Sequence, residues 1–163
     1  MLSGKRIVLG VTGGIAAYRA AELISLLKKR GAEVRVVMTE HACRFIAPLT
    51  LETLTGNRVH TDLFAARDEI AHIALAKWAD LFVVAPATAN ILAKFASGVA
   101  DDLLSTTYLA MRCPVLLAPA MNAAMWKHPA TQKNVECLRA WGARFCGPAR
   151  GHLPCGHGGL ARM

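Results

Sequence analysis

The chain ends in a segment that carries three side chains able to take part in chemistry. Residues 151–163 read GHLPCGHGGLARM, in which Cys155 lies between His152 and His157. A thiol near histidines can serve as an acid, a nucleophile or a metal ligand. The glycines and the proline predict neither a helix nor a strand in this segment. On these residues alone, a redox role and a metal-binding role both stay open.

The spacing of the cysteines and histidines argues against a metal site and against disulfides. A structural zinc site needs paired ligands such as C-x2-C or H-x3-H, which the candidates do not form: Cys146, His152, Cys155 and His157. The remaining cysteines lie in helical or pre-strand contexts and are typical of small core residues: Cys43, Cys113 and Cys137. Five cysteines are an odd number, which without an export signal indicates free thiols in a cytoplasmic protein. We predict no metal ion.

The composition excludes several classes of protein. Hydrophobic residues make up 54% of the 163 residues and aromatic residues 6%, which predicts an aliphatic core in one domain. No apolar stretch approaches the ~20 residues that cross a bilayer, so we predict no membrane segment. The net charge is +8, but the only basic run, residues 28–30, falls at a predicted helix end without interleaved aromatic residues. We therefore predict no nucleic-acid partner, and an excess of positive charge that attracts an anionic small molecule.

Five short apolar runs alternate with helical patterns and predict the fold class. The runs are rich in aliphatic residues and cover residues 6–11, 33–39, 80–87, 113–120 and, more weakly, 143–148. Helical spacing fills the intervals 12–30, 42–54 in part, 91–96, 101–112 and 130–141. Such alternation predicts an α/β, Rossmann-like (flavodoxin-like) doubly wound parallel sheet in a single domain.

The residues that follow the first four strands predict where a ligand binds. In an open parallel sheet, ligands lie beyond the carboxyl ends of the strands. These exits read TGGIA, MTEHA, APATAN and APAMN, which are small and polar and carry glycine or proline in most cases. The spacing of Gly10, Gly13 and Gly14 is wrong for a dinucleotide motif. The first exit is therefore either a tight turn or a site for the single phosphate of a mononucleotide.

Longer stretches carry a resemblance that covers essentially the whole chain. They read GVTGGIAAYRAAEL, EVRVVMTEHACRFI, HIALAKWADLFVVAPATANILAKFASGVADDLLS, PAMNAAMW and CGHGGLARM. In order and spacing they resemble the homo-oligomeric flavin-containing cysteine decarboxylases, and within that family the phosphopantothenoylcysteine decarboxylases of coenzyme A biosynthesis. The resemblance implies FMN as cofactor and a homo-oligomer, a trimer or a multiple of trimers, with active sites at subunit interfaces. It also implies that a CTP-dependent synthetase domain can follow, as in the bifunctional decarboxylase/synthetase.

The resemblance implies a role for individual residues as well. His72 resembles the active-site base and Cys155 the proton donor, carried on residues 151–163 as a mobile substrate clamp of the FMN-binding domain 1–150. By spacing alone, a histidine between Ala71 and Ile73 is more typical of a packed core histidine. The implied substrate-binding residues are Met121, Asn122 and Arg162, and Asn122 also suits the N-cap of the next helix. The implied cofactor-binding residues are Gly13, Gly14, Ile15, Thr39, Thr88, Ala89, Asn90 and Ala120.

The implied reaction is the decarboxylation of 4'-phosphopantothenoylcysteine, a small-molecule substrate, to 4'-phosphopantetheine. A plain carboxylate does not leave as CO2, because the carbanion left behind is not delocalised. Oxidation of the cysteine Cβ to a thioaldehyde supplies an electron sink, and loss of CO2 then gives an enethiolate. A returned hydride and a proton complete the aminothiol. The flavin removes and returns the hydride, so no nicotinamide is required.

The last segment departs from the family pattern, which usually reads ACGD-x-G-x-GRM, at Pro154, His157 and Ala161. Proline fixes φ before the cysteine, alanine removes a flexible glycine, and a protonated His157 would favour the thiolate over the acid. These departures favour one alternative, a non-catalytic FMN-binding regulatory relative. The other alternative, a flavin prenyltransferase-like enzyme, lacks the cysteine flap, so the presence of Cys155 argues against it.

Overall fold

The core of the molecule is a parallel sheet whose strand order is the one expected of the predicted fold class. The computed structural model describes residues 2–65, 70–152 and 158–162. Five strands form the sheet: β1 (Arg6–Val11), β2 (Glu33–Met38), β3 (Leu81–Ala87), β4 (Val115–Pro119) and β5 (Arg144–Phe145). Their order is β2-β1-β3-β4-β5, the flavodoxin-like order of a doubly wound fold. The predicted fold class is confirmed, and the chain reverses direction across the sheet between β1 and β3.

Helices cover both faces of this sheet. They are α1 (Arg19–Lys29), α2 (Pro48–Thr55), α3 (Ala71–Trp78), α4 (Ala89–Ser97), α5 (Leu103–Ala110), α6 (Ala123–Lys127) and α7 (Pro129–Ala140). Two 3-10 turns, Ile15–Tyr18 and Ala42–Arg44, follow β1 and β2. α1 and α2 pack on one face with Ile7 and Leu9, whereas α3, α4, α5 and α7 pack on the other with Val8 and Phe82. Alternate residues of β1 therefore serve opposite cores, as expected of a buried strand. Among the residues that the structure describes, no helix has the length and apolar character of a membrane span.

Two elements differ from the sequence prediction. α3 was not predicted, because residues 71–78 are mostly apolar and run towards β3 without a turn signal. Residues 151–163 were predicted to form no strand, which is wrong for the residues of this segment that the structure describes. β6 (Ala149–His152) and β7 (Gly158–Arg162) pair as an antiparallel hairpin. Such a ribbon is held by backbone hydrogen bonds, so its glycines do not prevent it.

Candidate functional site

The loops at the carboxyl ends of β1, β2, β3 and β4 enclose one cavity of about 640 Å³. That volume falls in the range of roughly 300–1,000 Å³ that is typical of small-molecule sites. The cavity lies at the edge of the sheet that the four strand exits predict, next to the reversal between β1 and β3.

The structure brings most of the predicted site residues to this cavity. All eight predicted cofactor-binding residues contribute to its wall: Gly13, Gly14, Ile15, Thr39, Thr88, Ala89, Asn90 and Ala120. Two predicted substrate-binding residues, Met121 and Asn122, also line it. The ten residues therefore lie around a single cavity, whereas the role of each residue stays a prediction.

The turn after β1 is packed so closely that it leaves no room for a side chain at Gly13. A Cβ atom there would collide with the His41 Cβ and would lie 2.9 Å from the His41 carbonyl carbon. Because part of this contact is backbone, it cannot be relieved by a side-chain rotation. At Gly14 a Cβ atom would lie 3.5 Å from the Thr88 Cγ2, which is an ordinary contact. The first exit loop therefore fits between the exits of β2 and β3, and its backbone forms part of the cavity wall.

Hydrogen bonds hold the β3 exit in place. The Thr88 side chain caps the N-terminus of α4 by accepting from the Ile91 amide at 3.3 Å. The Thr88 amide in turn donates to the Thr12 Oγ1 at 3.2 Å, which ties the β3 exit to the β1 exit. Ala89 and Asn90 form the first turn of α4 and line the cavity, so their positions on its wall depend on the position of this helix.

Asn122 is held by the helix that it precedes. Its side-chain oxygen accepts from the Ala124 amide at 2.8 Å, so the residue is the N-cap of α6. The bond fixes the orientation of the side-chain amide and leaves its NH2 group free to donate to a ligand in the cavity. The N-cap interpretation is thus confirmed, and it is compatible with the predicted substrate-binding role.

A charged wall of the cavity was not predicted. Lys94 Nζ lies 2.6 Å from Asp101 Oδ1 and 2.7 Å from Asp102 Oδ2. Asp102 also caps α5 in a capping box with Ser105. Partial burial raises the pKa of Asp102, but the hydrogen bonds from Lys94 and Ser105 outweigh burial and hold it below its usual range. The residues DDLLS contain the D-x-x-S pattern of a capping box, which was the available sequence signal.

Two further residues of the cavity wall, Glu40 and His41, were not predicted as site residues, although they lie in the second strand exit, MTEHA. Both are exposed and follow Thr39, whose Oγ1 accepts from the Ala42 amide at 3.2 Å. The signal that would have found them is their place directly after β2, which lies beside β1 in the sheet.

The other predicted functional residues do not lie on the wall of this cavity as far as the structure describes it. His72 is on α3, half-buried, and its Nδ1 atom is buried without a hydrogen-bond partner among the described residues. Cys155 lies outside the described residues. Arg162 belongs to β7, where its backbone pairs with Ala149. The hairpin approaches α6, the helix that follows Asn122.

The whole chain matches a known protein family. Residues 1–163 match the family model described as Flavoprotein. The coenzyme A biosynthesis bifunctional protein CoaBC of Bacillus subtilis (strain 168) is 48% identical over 165 residues, which cover 100% of this chain and 41% of that protein. The CoaBC protein of Escherichia coli (strain K12) is 50% identical over 164 residues, 99% of this chain and 40% of that protein. The chain thus spans about two fifths of the length of these relatives.

Solved structures share the fold at high similarity. The FMN-dependent cysteine decarboxylase SpaF superposes with a TM-score of 0.89 at 41% sequence identity, over 99% of this chain and 91% of that chain. A mutant PPC decarboxylase complexed with pantothenoylaminoethenethiol superposes with a TM-score of 0.87 at 30% identity, over 98% of this chain and 91% of that chain. These matches include the strand exits that form the cavity.

Proposed function

Because the chain belongs to the flavoprotein family, we propose that it binds FMN in the cavity beyond β1–β4 and uses it to decarboxylate 4'-phosphopantothenoylcysteine to 4'-phosphopantetheine in coenzyme A biosynthesis. The observation that carries this proposal is the arrangement of the eight residues matched to FMN contacts. They come from four separate stretches of the chain and line one cavity. The similar proteins, which include a bifunctional protein of coenzyme A biosynthesis, an FMN-dependent cysteine decarboxylase and a PPC decarboxylase, support the same reaction.

The cavity has the volume of a small-molecule site and a lining that suits FMN. Small side chains at Gly13, Ala89 and Ala120 would let a flat ring system lie against backbone, and Thr39 and Asn90 offer polar groups. The collision that a Cβ atom would make at Gly13 shows how closely the backbone frames this space. When bound, FMN supplies the two-electron oxidation and reduction of the sulfur-bearing carbon of the substrate.

The chain's own residues bind the substrate and move its protons. Asn122 binds the substrate carboxylate through its NH2 group, and as an uncharged donor it does not neutralise the group that must leave as CO2. His72 takes the thiol proton at Nε2, because its Nδ1 is buried. Cys155 returns a proton in the last step from the clamp formed by residues 151–163, which excludes water when it closes over FMN-binding domain 1–150. Arg162 on the same clamp attracts the anionic substrate.

The proposal includes a homo-oligomer, a trimer or a multiple of trimers, in which each site combines two subunits. It is supported by the position of His72, which lies on α3 rather than on the cavity wall. Two apolar residues flank it at the surface: Ile70 is 57% exposed and Ile73 is 38% exposed. A neighbouring subunit that covers this surface would bring its cavity to His72.

Mixing two inactive variants tests this arrangement. His72→Asn and Asn122→Ala are refolded together at equal concentration, with each variant refolded alone as control. If one subunit provides His72 and its neighbour provides Asn122, about a quarter of the mixed sites contain both native residues, as a heterologous ring requires. Activity that stays at the level of the separate variants would place both residues in the same subunit.

We also propose that the protein is cytoplasmic and that a CTP-dependent synthetase domain can accompany this domain. The bifunctional relatives, of which this chain matches about two fifths, support the synthetase domain.

Absorption spectra and product analysis test the proposed reaction. The purified protein is expected to show the absorption bands of oxidised flavin, and to release CO2 from 4'-phosphopantothenoylcysteine. Cys155→Ser is expected to release CO2 but to stall at the enethiol with the flavin left reduced. Cys146→Ser, a change at an exposed free thiol, is the matched control and is expected to yield 4'-phosphopantetheine. Bound FMN without CO2 release would favour the regulatory relative, and a prenylated flavin would favour the prenyltransferase-like enzyme.

A further inference from the structure

The described part of the cavity wall carries more negative than positive charge, although the proposed cofactor carries a phosphate. Its charged side chains are Glu40, Asp101, Asp102 and Lys94. Lys94 contacts both aspartates, so its positive charge is already balanced. A phosphate monoester carries a charge of about −1.5 to −2 at neutral pH. The excess of basic residues in the whole chain therefore does not extend to this wall, and Lys94 offers no unbalanced positive charge to the phosphate.

His41 is the remaining described side chain of the wall that can carry a positive charge. It follows β2, and its Cβ atom lies directly against Gly13 in the turn that follows β1. The Gly13 position is also within 3.2 Å of the His41 Cα, measured from an ideal Cβ built on the glycine. The imidazole therefore begins next to the Gly13 turn, where a single phosphate would bind, and His41 is exposed rather than packed in the core.

We propose that His41 is a further cofactor-binding residue, whose imidazole donates a charge-assisted hydrogen bond to the FMN phosphate at the Gly13 turn. This inference rests on the proposed binding of FMN. The Thr39 hydroxyl and backbone amides of the turn offer neutral donors at the same place. A donor that carries a charge forms a bond roughly twice as strong as a neutral one. We therefore expect His41 to provide the largest single share of the affinity that depends on the phosphate.

A comparison of FMN with riboflavin isolates this contribution, because riboflavin lacks the phosphate. Both affinities are measured by fluorescence titration of the flavin-free protein for wild type, His41→Ala and His41→Lys. We expect His41→Ala to weaken FMN binding about 10- to 100-fold, the equivalent of one charge-assisted hydrogen bond. Riboflavin binding should stay unchanged, which also shows that the variant is folded. His41→Lys should restore most of the FMN affinity, because it restores a cation.

Arg44→Ala is the matched control, because Arg44 lies in the 3-10 turn Ala42–Arg44 that directly follows His41 and does not line the cavity. It should leave the preference for FMN over riboflavin unchanged. The inference is overturned if His41→Ala keeps the wild-type preference for FMN, or if it weakens both flavins equally. An equal loss in Arg44→Ala would also overturn it, because the effect would then be one of net charge. Failure of the wild type to bind either flavin would instead refute the proposed function.

Discussion

Thr12 donates a hydrogen bond from its hydroxyl to the Pro86 carbonyl at 2.6 Å, which joins the exits of β1 and β3. The same oxygen accepts from the Thr88 amide at 3.2 Å, and only 1% of Thr12 is exposed. These two strands lie on either side of the reversal in the sheet, where the cavity opens. The buried Thr12 hydroxyl therefore holds together the loops after β1 and β3, which form part of the cavity wall.

Replacing this hydroxyl should reduce both stability and cofactor binding. Thr12→Val keeps the shape of the side chain but leaves a buried carbonyl and an amide without their partner. We expect the free energy of unfolding to fall by about 1–3 kcal/mol, and FMN affinity to fall with it. Thr12→Ser keeps the hydroxyl and should retain most of both. Urea unfolding and FMN titration measure the two effects, and wild-type values for Thr12→Val would show that the bond does not hold the loops.

Gly13 and Gly14 should respond differently to the same substitution. Gly13→Ala places a methyl group against the His41 backbone, which cannot move without shifting the loop. We expect a loss of about 1–3 kcal/mol in the free energy of unfolding, as for other overpacked sites. Gly14 has an extended backbone, with φ −151° and ψ 161°, and room for a methyl group, so Gly14→Ala should change stability far less. Equal unfolding curves for the two variants would contradict the packing argument.

The stability of the protein should depend on pH in the acid range through Asp80. This residue directly precedes β3, at the end of the strands opposite to the cavity. Hydrogen bonds from the Arg6 side chain and amide lower the pKa of Asp80 to about 2. Because the folded-state pKa is depressed, the pair stabilises the fold fully above the unfolded pKa of about 3.9. This contribution is lost as pH falls from about 4 through about 2.

A pH series of urea unfolding tests this dependence. Asp80→Asn should be less stable than wild type at pH 6, and the two stabilities should converge between about pH 4 and pH 2. Glu136→Gln on the exposed surface of α7 is the control and should follow the wild-type profile. FMN binding at neutral pH should be the same in all three proteins, because Asp80 is remote from the cavity. A stability difference that stays constant down to pH 2 would rule out the proposed linkage.

The sheet and its binding edge could be predicted because both follow from local patterns. Each long strand is an aliphatic run that ends at small or polar residues, and parallel strands bring all their exits to one edge. α3 was missed because its apolar residues give no helical period. The hairpin of β6 and β7 was missed because backbone pairing leaves little trace in a glycine-rich sequence.

Only the helix cap at Asp102 had a sequence signal, because the ion pairs of the charged wall depend on how the chain folds back. Gly98 ends α4 with φ 68°, a left-handed conformation, and the connection returns Asp101 and Asp102 to Lys94. Spacing alone puts these residues seven and eight positions apart, with no indication that they touch. The contact between Gly13 and His41 likewise depends on the register of β1 beside β2, which places two exit loops in contact.

Lys94 should stabilise the connection between α4 and α5. Its side chain is 20% exposed and that of Asp102 is 27% exposed, so the pair is screened less than a surface ion pair. Lys94→Met would leave Asp102 half-buried without its cation, and we expect a loss of about 1–2 kcal/mol in unfolding free energy. Lys94→Arg should retain most of the stability. Asp101→Asn should have little effect, because Asp101 is 59% exposed. Urea unfolding at pH 7 compares the three, and a loss in Asp101→Asn as large as in Lys94→Met would show that Asp102 is not the partner that matters.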